Sequence, residues 1–313
     1  MSDTTTWVTA IVGLAYDDLP AALVDELAAA GLDPAQVYAD VAAAVAEDLP
    51  GDDVTSWATI PAEETATADF VAREDGVAAG LAVAEVVFRH VLGNDIELER
   101  PVADGTRVAR GDVLLSVTGG TALLLTAERT ALNYACHVSG VATATAAWVA
   151  VLEGTGARVR DTRKTIPHFR SLEKYAVRCG GGVNHRRDLS DQALVKDNHV
   201  IAAGGVVPAY ELIRARYPDV PVQVEVTTLE QLRELLEVGV DQVLLDNMSA
   251  DQMREAVALR DQSGGAGRVQ LEASGGLTLE RAAEVAATGV DFIAVGALTH
   301  SARVMDIAMD LRP

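Results

Sequence analysis

The spacing of apolar positions changes character near residue 127. Before it, Ala-rich helical patterns run over 19–30 and 34–48, and Gly51-Asp52-Asp53 breaks the second. Alternating stretches near 65–73 and 95–101 predict short strands. Asp104-Gly105 and Arg110-Gly111-Asp112 punctuate further strand-like pieces as far as Val117. This part reads as an α+β sandwich. Beyond it the chain settles into a repeat. A long helix is expected from Ala127 to about Leu152, then β runs at Ala157–Arg160, Ala193–Lys196, Val222–Val226, Gln242–Leu245, Val269–Ala273 and Phe292–Val295. Amphipathic stretches such as 228–238, 249–260 and 278–288 lie between them. Repeated βα units imply parallel strands with right-handed crossovers.

Six β runs are fewer than a closed eight-stranded barrel needs, so the sheet is either an incomplete barrel or an open doubly wound sheet. The ends of the runs favour the barrel. They carry Asp161, Arg163 and Lys164; Lys196, Asp197 and Asn198; Glu225; Asp246 and Asn247; Glu272 and Ser274; and Gly296. Barrel enzymes collect their chemistry at the C-terminal ends of the strands, whereas an open sheet focuses it at one switch point. The predicted fold class is α/β: an incomplete, open α/β barrel of about six to seven strands with an N-terminal α+β sandwich domain. The sandwich spans 1–135 and includes the start of the linking helix. The barrel spans 136–300, and 301–313 is predicted as a C-terminal helix packing back on the N-terminal domain.

A length of 313 residues fits about two domains with a sizeable core. A net charge of −21 argues against nucleic acid and anionic membranes as partners, and 4% aromatic residues leave little to stack bases on. Cys136 and Cys179 form no CxxC and imply no disulfide framework, which fits a reducing cytosol. The start, Met1-Ser2-Asp3-Thr4, has neither a basic nor an apolar leader region, and no apolar run is read as long enough to span a membrane. The expectation is a soluble cytoplasmic protein.

Against this acidic background the basic residues are unevenly placed. All three lysines lie between Lys164 and Lys196, and Arg158–His199 holds ten Lys and Arg against five Asp and Glu. The stretch is +5 and the rest of the chain −26. Lysine is a compact point charge whose pKa shifts readily, so its confinement points to a pocket for something highly anionic.

Within the island, Asp161-Thr162-Arg163-Lys164-Thr165 sets two adjacent cations among hydroxyls, a pattern suited to carboxylate or phosphate oxygens. Arg178–Arg187 reads RCGGGVNHRR: three glycines permit close backbone approach, and His185, Arg186 and Arg187 follow as three potential cations. A flexible linker would explain the glycines but not the polar groups packed against them. Lys196 ends an apolar strand, where a lysine is costly unless paired or functional; Asp197 and Asp191 are candidate ion-pair partners. Glu225 and Asp246 end successive strands and together suit a Mg²⁺ that shares its other positions with water and phosphate; pairing with the lysines is the alternative and does not exclude it. Ser274-Gly275-Gly276 and Gly296 follow the last two runs, where barrels hold a phosphate. GxGxxG and GxxxxGK[ST] are absent, so neither a dinucleotide fingerprint nor a Walker loop is indicated.

In this order, these motifs resemble the quinolinate phosphoribosyltransferases over Ala46 to Leu311. Glu47-Asp48 with Gly51–Thr55 is similar to that family's N-terminal signature, and Glu128–Asn133 with Ser139–Thr143 to its linking helix. Asp161–Thr165, Glu173–Arg186, Lys196–His199, Glu225, Leu245-Asp246-Asn247, Glu272–Gly276 and Val295–Ser301 complete the match. The resemblance implies phosphoribosyl transfer from phosphoribosyl pyrophosphate (PRPP) to quinolinate with loss of CO₂, giving nicotinate mononucleotide for NAD biosynthesis. It implies a homodimer or an assembly of dimers in which Arg129 completes the partner subunit's site. It implies that Arg163, Lys164, His185, Arg186 and Lys196 bind quinolinate, with Lys164, Lys196, Glu225 and Asp246 as the catalytic set. Glu225 and Asp246 would lie by the ribose and Mg²⁺, and Ser274, Gly275, Gly276 and Gly296 would hold the 5-phosphate. His168 and Asp188 depart from the family pattern: His168 stands where a small residue, often glycine, is usual, and Asp188 where glycine is usual.

Three other functions share parts of this pattern. A related phosphoribosyltransferase acting on another ring carboxylate, or of the molybdenum-uptake-associated type, would keep the phosphate motifs. A Schiff-base barrel aldolase would use Lys164 or Lys196. A non-catalytic sugar-phosphate sensor would bind without turnover.

Overall fold

The computed structural model describes residues 6–265 and 267–312. Its strands, in chain order, are β1 Thr65–Ala72, β2 Gly76–Val77, β3 Glu97–Glu99, β4 Arg107–Val108, β5 Val113–Gly120, β6 Arg158–Arg160, β7 Ala193–Val195, β8 Val222–Val226, β9 Gln242–Asp246, β10 Gln270–Ser274, β11 Phe292–Ala294 and β12 Ile307–Arg312. The chain divides into two compact units. One comprises the described residues up to Ala144, Ser171–Gly180, and those from Ala302 on; the other comprises Thr145–Arg170 and Gly181–Ser301.

The first unit is an α+β domain. Its main sheet is antiparallel in the order β12-β1-β5-β3, and β2 pairs with β4 in a separate ribbon. Helices Ala21–Ala29 and Pro34–Asp48 match the expected ones. Helix Leu81–Leu92 is absent from the sequence reading for a physical reason: nearly all its side chains are buried, so no polar stripe marks its period. Its Phe88 meets Phe70 of β1 edge-on, with ring centroids 5.5 Å apart. The Asp104 carboxylate accepts the N–H groups of Gly80 (2.7 Å) and Leu81 (3.2 Å), supplying the N-terminal cap from a distant loop.

Where a C-terminal helix is predicted over 301–313, Ile307–Arg312 is a strand instead, and residue 313 lies outside the described residues. β12 pairs antiparallel with β1 from Thr67↔Arg312 to Ala72↔Ile307. Ile307, Met309 and Leu311 alternate with Ala308, Asp310 and Arg312, and this period of two overrides the helical preference of Ala, Met, Leu and Arg. Arg312 bridges Asp69 and Arg73 bridges Asp310, so charge pairing accompanies the register.

The long helix runs Thr121–Leu152, starting six residues before its predicted Ala127. By length and composition it could cross a bilayer, contrary to the expectation that no apolar run reaches that length. It is nonetheless a core helix: 56% of its most apolar window is buried inside the fold.

The second unit is the α/β domain. Six parallel strands follow the order β6-β11-β10-β9-β8-β7, and Val183 extends the β6 edge by a single parallel bridge to Arg160. No closed barrel forms among the described residues. Alternate residues face opposite ways along each strand. Val222, Val224, Val243, Leu245, Leu271, Ala273 and Ile293 form a buried apolar set. The interleaved set is different in kind: Gln223, Glu225, Leu244, Asp246, Glu272, Ser274 and Ala294.

In the first unit, a Cβ at Gly140 would lie 2.2 Å from the Arg303 carbonyl oxygen and 2.9 Å from Val304 Cα. Both are backbone atoms, and Met305 N–H donates to Cys136 O (2.9 Å) in the same approach. Gly140→Ala is therefore expected to destabilise the protein by about 1–3 kcal/mol, as overpacking does, read as a lowered melting temperature against wild type.

Candidate active site

Part of this interleaved set meets one cavity of about 270 Å³, lined by Thr162, Arg163, Lys164, His185, Arg186, Leu194, Lys196, Leu244, Glu272, Ser274 and Ala294. Six residues given binding or catalytic roles from the sequence meet here: Arg163, Lys164, His185, Arg186, Lys196 and Ser274. Four are cations, and Glu272 is the one carboxylate among the lining residues.

The backbone fixes these groups. At the end of β6, Asp161 is fully buried and accepts from Asn184 Nδ2 (2.6 Å) and the His185 N–H (2.8 Å). Val183 N–H donates to Val159 O (3.0 Å), and Asp161 N–H returns to Val183 O (3.2 Å). The glycine-rich stretch is thus stitched to the sheet rather than acting as a linker. Lys164 N–H donates to Thr162 Oγ1 (3.0 Å), and Thr299 Oγ1 donates to Lys164 O (2.7 Å). Gly296 packs against the Lys164 stem, where a Cβ would come within 3.0 Å of Cδ.

His185 is placed by both ring nitrogens. Arg186 backbone N–H can only donate, so Nδ1, 2.6 Å away, must accept, and the ring proton sits on Nε2. That proton points to Gln223 Oε1 at 2.8 Å, with Glu272 Oε1 at 3.4 Å. Glu272 Oε2 accepts from Arg160 Nη1 (2.8 Å), whose guanidinium carbon lies 4.1 Å from the Phe292 ring centroid. Burial pushes the Glu272 pKa up, but the nearby His185 ring and the Arg160 guanidinium outweigh it and hold the carboxyl below its usual range. Glu272 Oε1, Gln223 Nε2, Arg160 Nε and Arg163 Nε are buried without a hydrogen-bond partner.

The cations are held close against their own repulsion. Burial, and then the nearby Arg163, lower the pKa of the Arg186 guanidinium, whose Nη1 donates to Gln192 O (3.0 Å). Lys196 is not in a buried strand, as expected from its neighbours. It caps helix Asp197–Ala203, its side chain is half exposed, and it pairs with Glu225 Oε2 (3.1 Å) rather than Asp197 or Asp191.

Glu225, Asp246, Gly275, Gly276 and Gly296 do not line the cavity. Glu225 pairs in register with Leu244, which places Asp246 two residues further along the adjacent strand on the same face. Asn247 Nδ2 donates to Asp246 Oδ2 (2.8 Å). Gly275 has φ +95°, and a Cβ there would lie 2.2 Å from Asn247 Oδ1, so only glycine fits. Arg129 lies in the other compact unit with a largely exposed side chain, 3.8 Å from Glu128. The basic island also divides, because Lys174 is buried in helix Arg170–Cys179 and does not line the cavity.

Both departures from the family pattern have a structural basis. His168 adopts φ +65°, the left-handed conformation that favours glycine. Asp188 accepts from Ser190 N–H (2.7 Å) and Asp191 N–H (3.2 Å), closing its turn with a side chain.

Sequence reasoning gave no role to Arg160, Gln223 or the carboxylate of Glu272. Their signal is the period of two: a polar side chain at every second position of a strand whose other face is wholly apolar.

A model of the quinolinate phosphoribosyl transferase N-terminal domain matches residues 53–139, and one of the C-terminal domain matches 141–310. The nicotinate-nucleotide pyrophosphorylase (carboxylating) of Mycobacterium leprae is 52% identical over 86% of this chain and 94% of its own. A probable enzyme of the same name from Bacillus subtilis is 39% identical over 85% and 90%. Among solved structures, the nicotinate-nucleotide pyrophosphorylase of Francisella tularensis superposes with TM-score 0.84 at 35% identity, covering 88% of this chain and 96% of that one. NadC of Streptococcus pyogenes gives TM-score 0.84 at 39% identity, covering 89% and 97%.

With a depressed folded-state pKa, ionised Glu272 adds stability above the ordinary carboxylate range, and that contribution is lost as pH falls through the lowered value. Melting temperature measured between about pH 3 and pH 7 should fall toward acid. Glu272→Gln should start lower at neutral pH and lose less on acidification; an unchanged acid slope would show that Glu272 is not a source of it.

Proposed function

The chain belongs to the quinolinate phosphoribosyltransferase family, and we propose that this cavity is where it joins quinolinate to the ribosyl group of PRPP. The observation that carries the reading is a cavity with four cations and one carboxylate among its lining residues, in a protein of net charge −21. Such a cavity suits a pyridine dicarboxylate and a polyanionic sugar phosphate.

In this reaction the pyridine nitrogen attacks the anomeric carbon and the C–O bond to pyrophosphate breaks. Arg163 and Arg186 grip the ring carboxylates, with Lys164 and Lys196 beside them as mobile point charges. Glu225 and Asp246 face the positive charge that builds on the ribosyl carbon. The ring nitrogen of the adduct is a cation, and it stabilises the carbanion left when the adjacent carboxylate departs as CO₂. No organic cofactor is needed for that step. Ser274, Gly275, Gly276 and Gly296 lie at the two strand ends that suit the 5-phosphate.

The donor set fits a Mg²⁺ brought by the substrate better than a resident ion. Two carboxylates lie on one face of adjacent strands, and no cluster of three or more metal-ligating side chains exists among the described residues. Glu225 and Asp246 would hold the ion together with pyrophosphate oxygens and water. When bound, it neutralises the leaving group. We place the enzyme in the cytoplasm, as a homodimer or an assembly of dimers.

The Schiff-base alternative finds little support in the geometry. Lys164 is exposed, and Lys196 is half exposed and paired with Glu225, whereas an aldolase lysine is desolvated.

The direct assay is PRPP-dependent loss of quinolinate with release of CO₂. Lys164→Ala and Lys196→Ala should fold yet lose turnover by about two to four orders of magnitude, the scale of lost transition-state charge contacts. EDTA should abolish activity and Mg²⁺ restore it. Near-normal turnover in both folded variants, or full activity without metal, would overturn these assignments.

The dimer assignment has its own test. Arg129→Ala and Lys164→Ala homodimers are each expected to be nearly inactive. Random subunit exchange makes about half the dimers hybrids, each with one intact site if Arg129 acts across the interface, restoring roughly a quarter of wild-type sites. Verified exchange with no recovery would place Arg129 in its own subunit's site or outside the reaction.

A further inference from the structure

Among the residues that line the cavity is a charge of the wrong sign for an anionic ligand. Glu272 is almost wholly buried, lines the cavity and is held ionised. A ring carboxylate set against it would be repelled, so direct contact with that part of the substrate does not account for its presence. Its contacts point elsewhere. One oxygen takes Arg160 Nη1 at 2.8 Å, and the other lies 3.4 Å from His185 Nε2. Gln223 Oε1, also buried, takes the same ring nitrogen at 2.8 Å. The opposite ring nitrogen accepts the backbone N–H of Arg186, whose guanidinium lines the cavity.

We propose that Gln223 and Glu272 are positioning residues: Gln223, by its hydrogen bond to Nε2, and Glu272, by its charge beside that nitrogen, keep the His185 ring proton on Nε2, leave Nδ1 to accept the Arg186 amide, and so set where the Arg186 guanidinium meets the ring acid. This goes beyond the proposed reaction but rests on it, since it takes the cavity to receive quinolinate. The logic is that of an outer group orienting a histidine through its second nitrogen. Arg186 gains most from such placement because a guanidinium grips a carboxylate in one plane and tolerates little misalignment. It is also held near Arg163 against repulsion, so a loosened backbone would let it swing away.

The test uses full-length enzyme and steady-state kinetics with each substrate varied in turn. Gln223→Met removes the acceptor for the His185 ring proton without altering charge. It should raise KM for quinolinate about tenfold or more, the scale of one lost buried hydrogen bond, while KM for PRPP stays within about twofold and melting temperature changes little. Glu272→Gln should act in the same direction; if it fails to fold because Arg160 is left without its counter-charge, Gln223→Met still decides the matter. In a His185→Phe background, Gln223→Met should have little further effect, because both changes act through one ring. An unchanged quinolinate KM in folded Gln223→Met, equal rises for both substrates, or full additivity with His185→Phe would each overturn the proposal. Wild-type enzyme without PRPP-dependent quinolinate consumption would instead refute the underlying reaction, so the two failures are distinguishable.

Discussion

Like charges gathered round a small cavity repel one another, and most of the local structure serves to hold them there. Arg163, Lys164, Arg186 and Lys196 share a space of about 270 Å³, and Arg186 registers the nearness of Arg163 directly. Nothing in the cations themselves favours that arrangement. What opposes their dispersal is backbone: the buried Asp161 carboxylate clamping Asn184 and His185, the Val183 bridge to the sheet edge, and the Thr299 bond to the Lys164 carbonyl. A polyanionic ligand relieves the repulsion on arrival, and the scaffold keeps the groups in place until then. Pre-organisation here is the work of hydrogen bonds that tie side chains to the main chain and to one another.

The fold was legible wherever a period was present. The six parallel strands lie within a residue or two of their expected positions because each is a short β-prone stretch in a regular alternation with helices. Helix Leu81–Leu92 escaped because burial on all sides erased its period. The final strand was misread because Ala308, Met309 and Leu311 favour helix in isolation, while pairing with β1 decides the outcome.

The candidate site was legible in part, and the division follows the physics. Residues that end strands, such as Lys164 and Ser274, could be found from order alone. Contacts that cross strands were legible only as alternatives or not at all. Lys196 meets Glu225 on the neighbouring strand, one of the carboxylates offered as a partner for the lysines, rather than the nearby Asp197; His185 reaches Gln223 and Glu272 on β8 and β10. Strand alternation marks such polar residues as belonging together on one face, but only the register says which of them touch.

The pairing of β1 with β12 has a consequence for how the protein is made. Arg312 meets Asp69 across 243 positions of chain. On a ribosome, β1 emerges early, and its outer edge stays uncovered until almost the whole of the described chain has been synthesised. Meanwhile the parallel sheet of the second unit can already assemble, since all its strands lie within Arg158–Ala294. The order of completion is thus the reverse of the order of synthesis: the amino-terminal unit, begun first, is finished last. Throughout translation β1 is an open strand edge, the kind of surface that invites mispairing and engages chaperones.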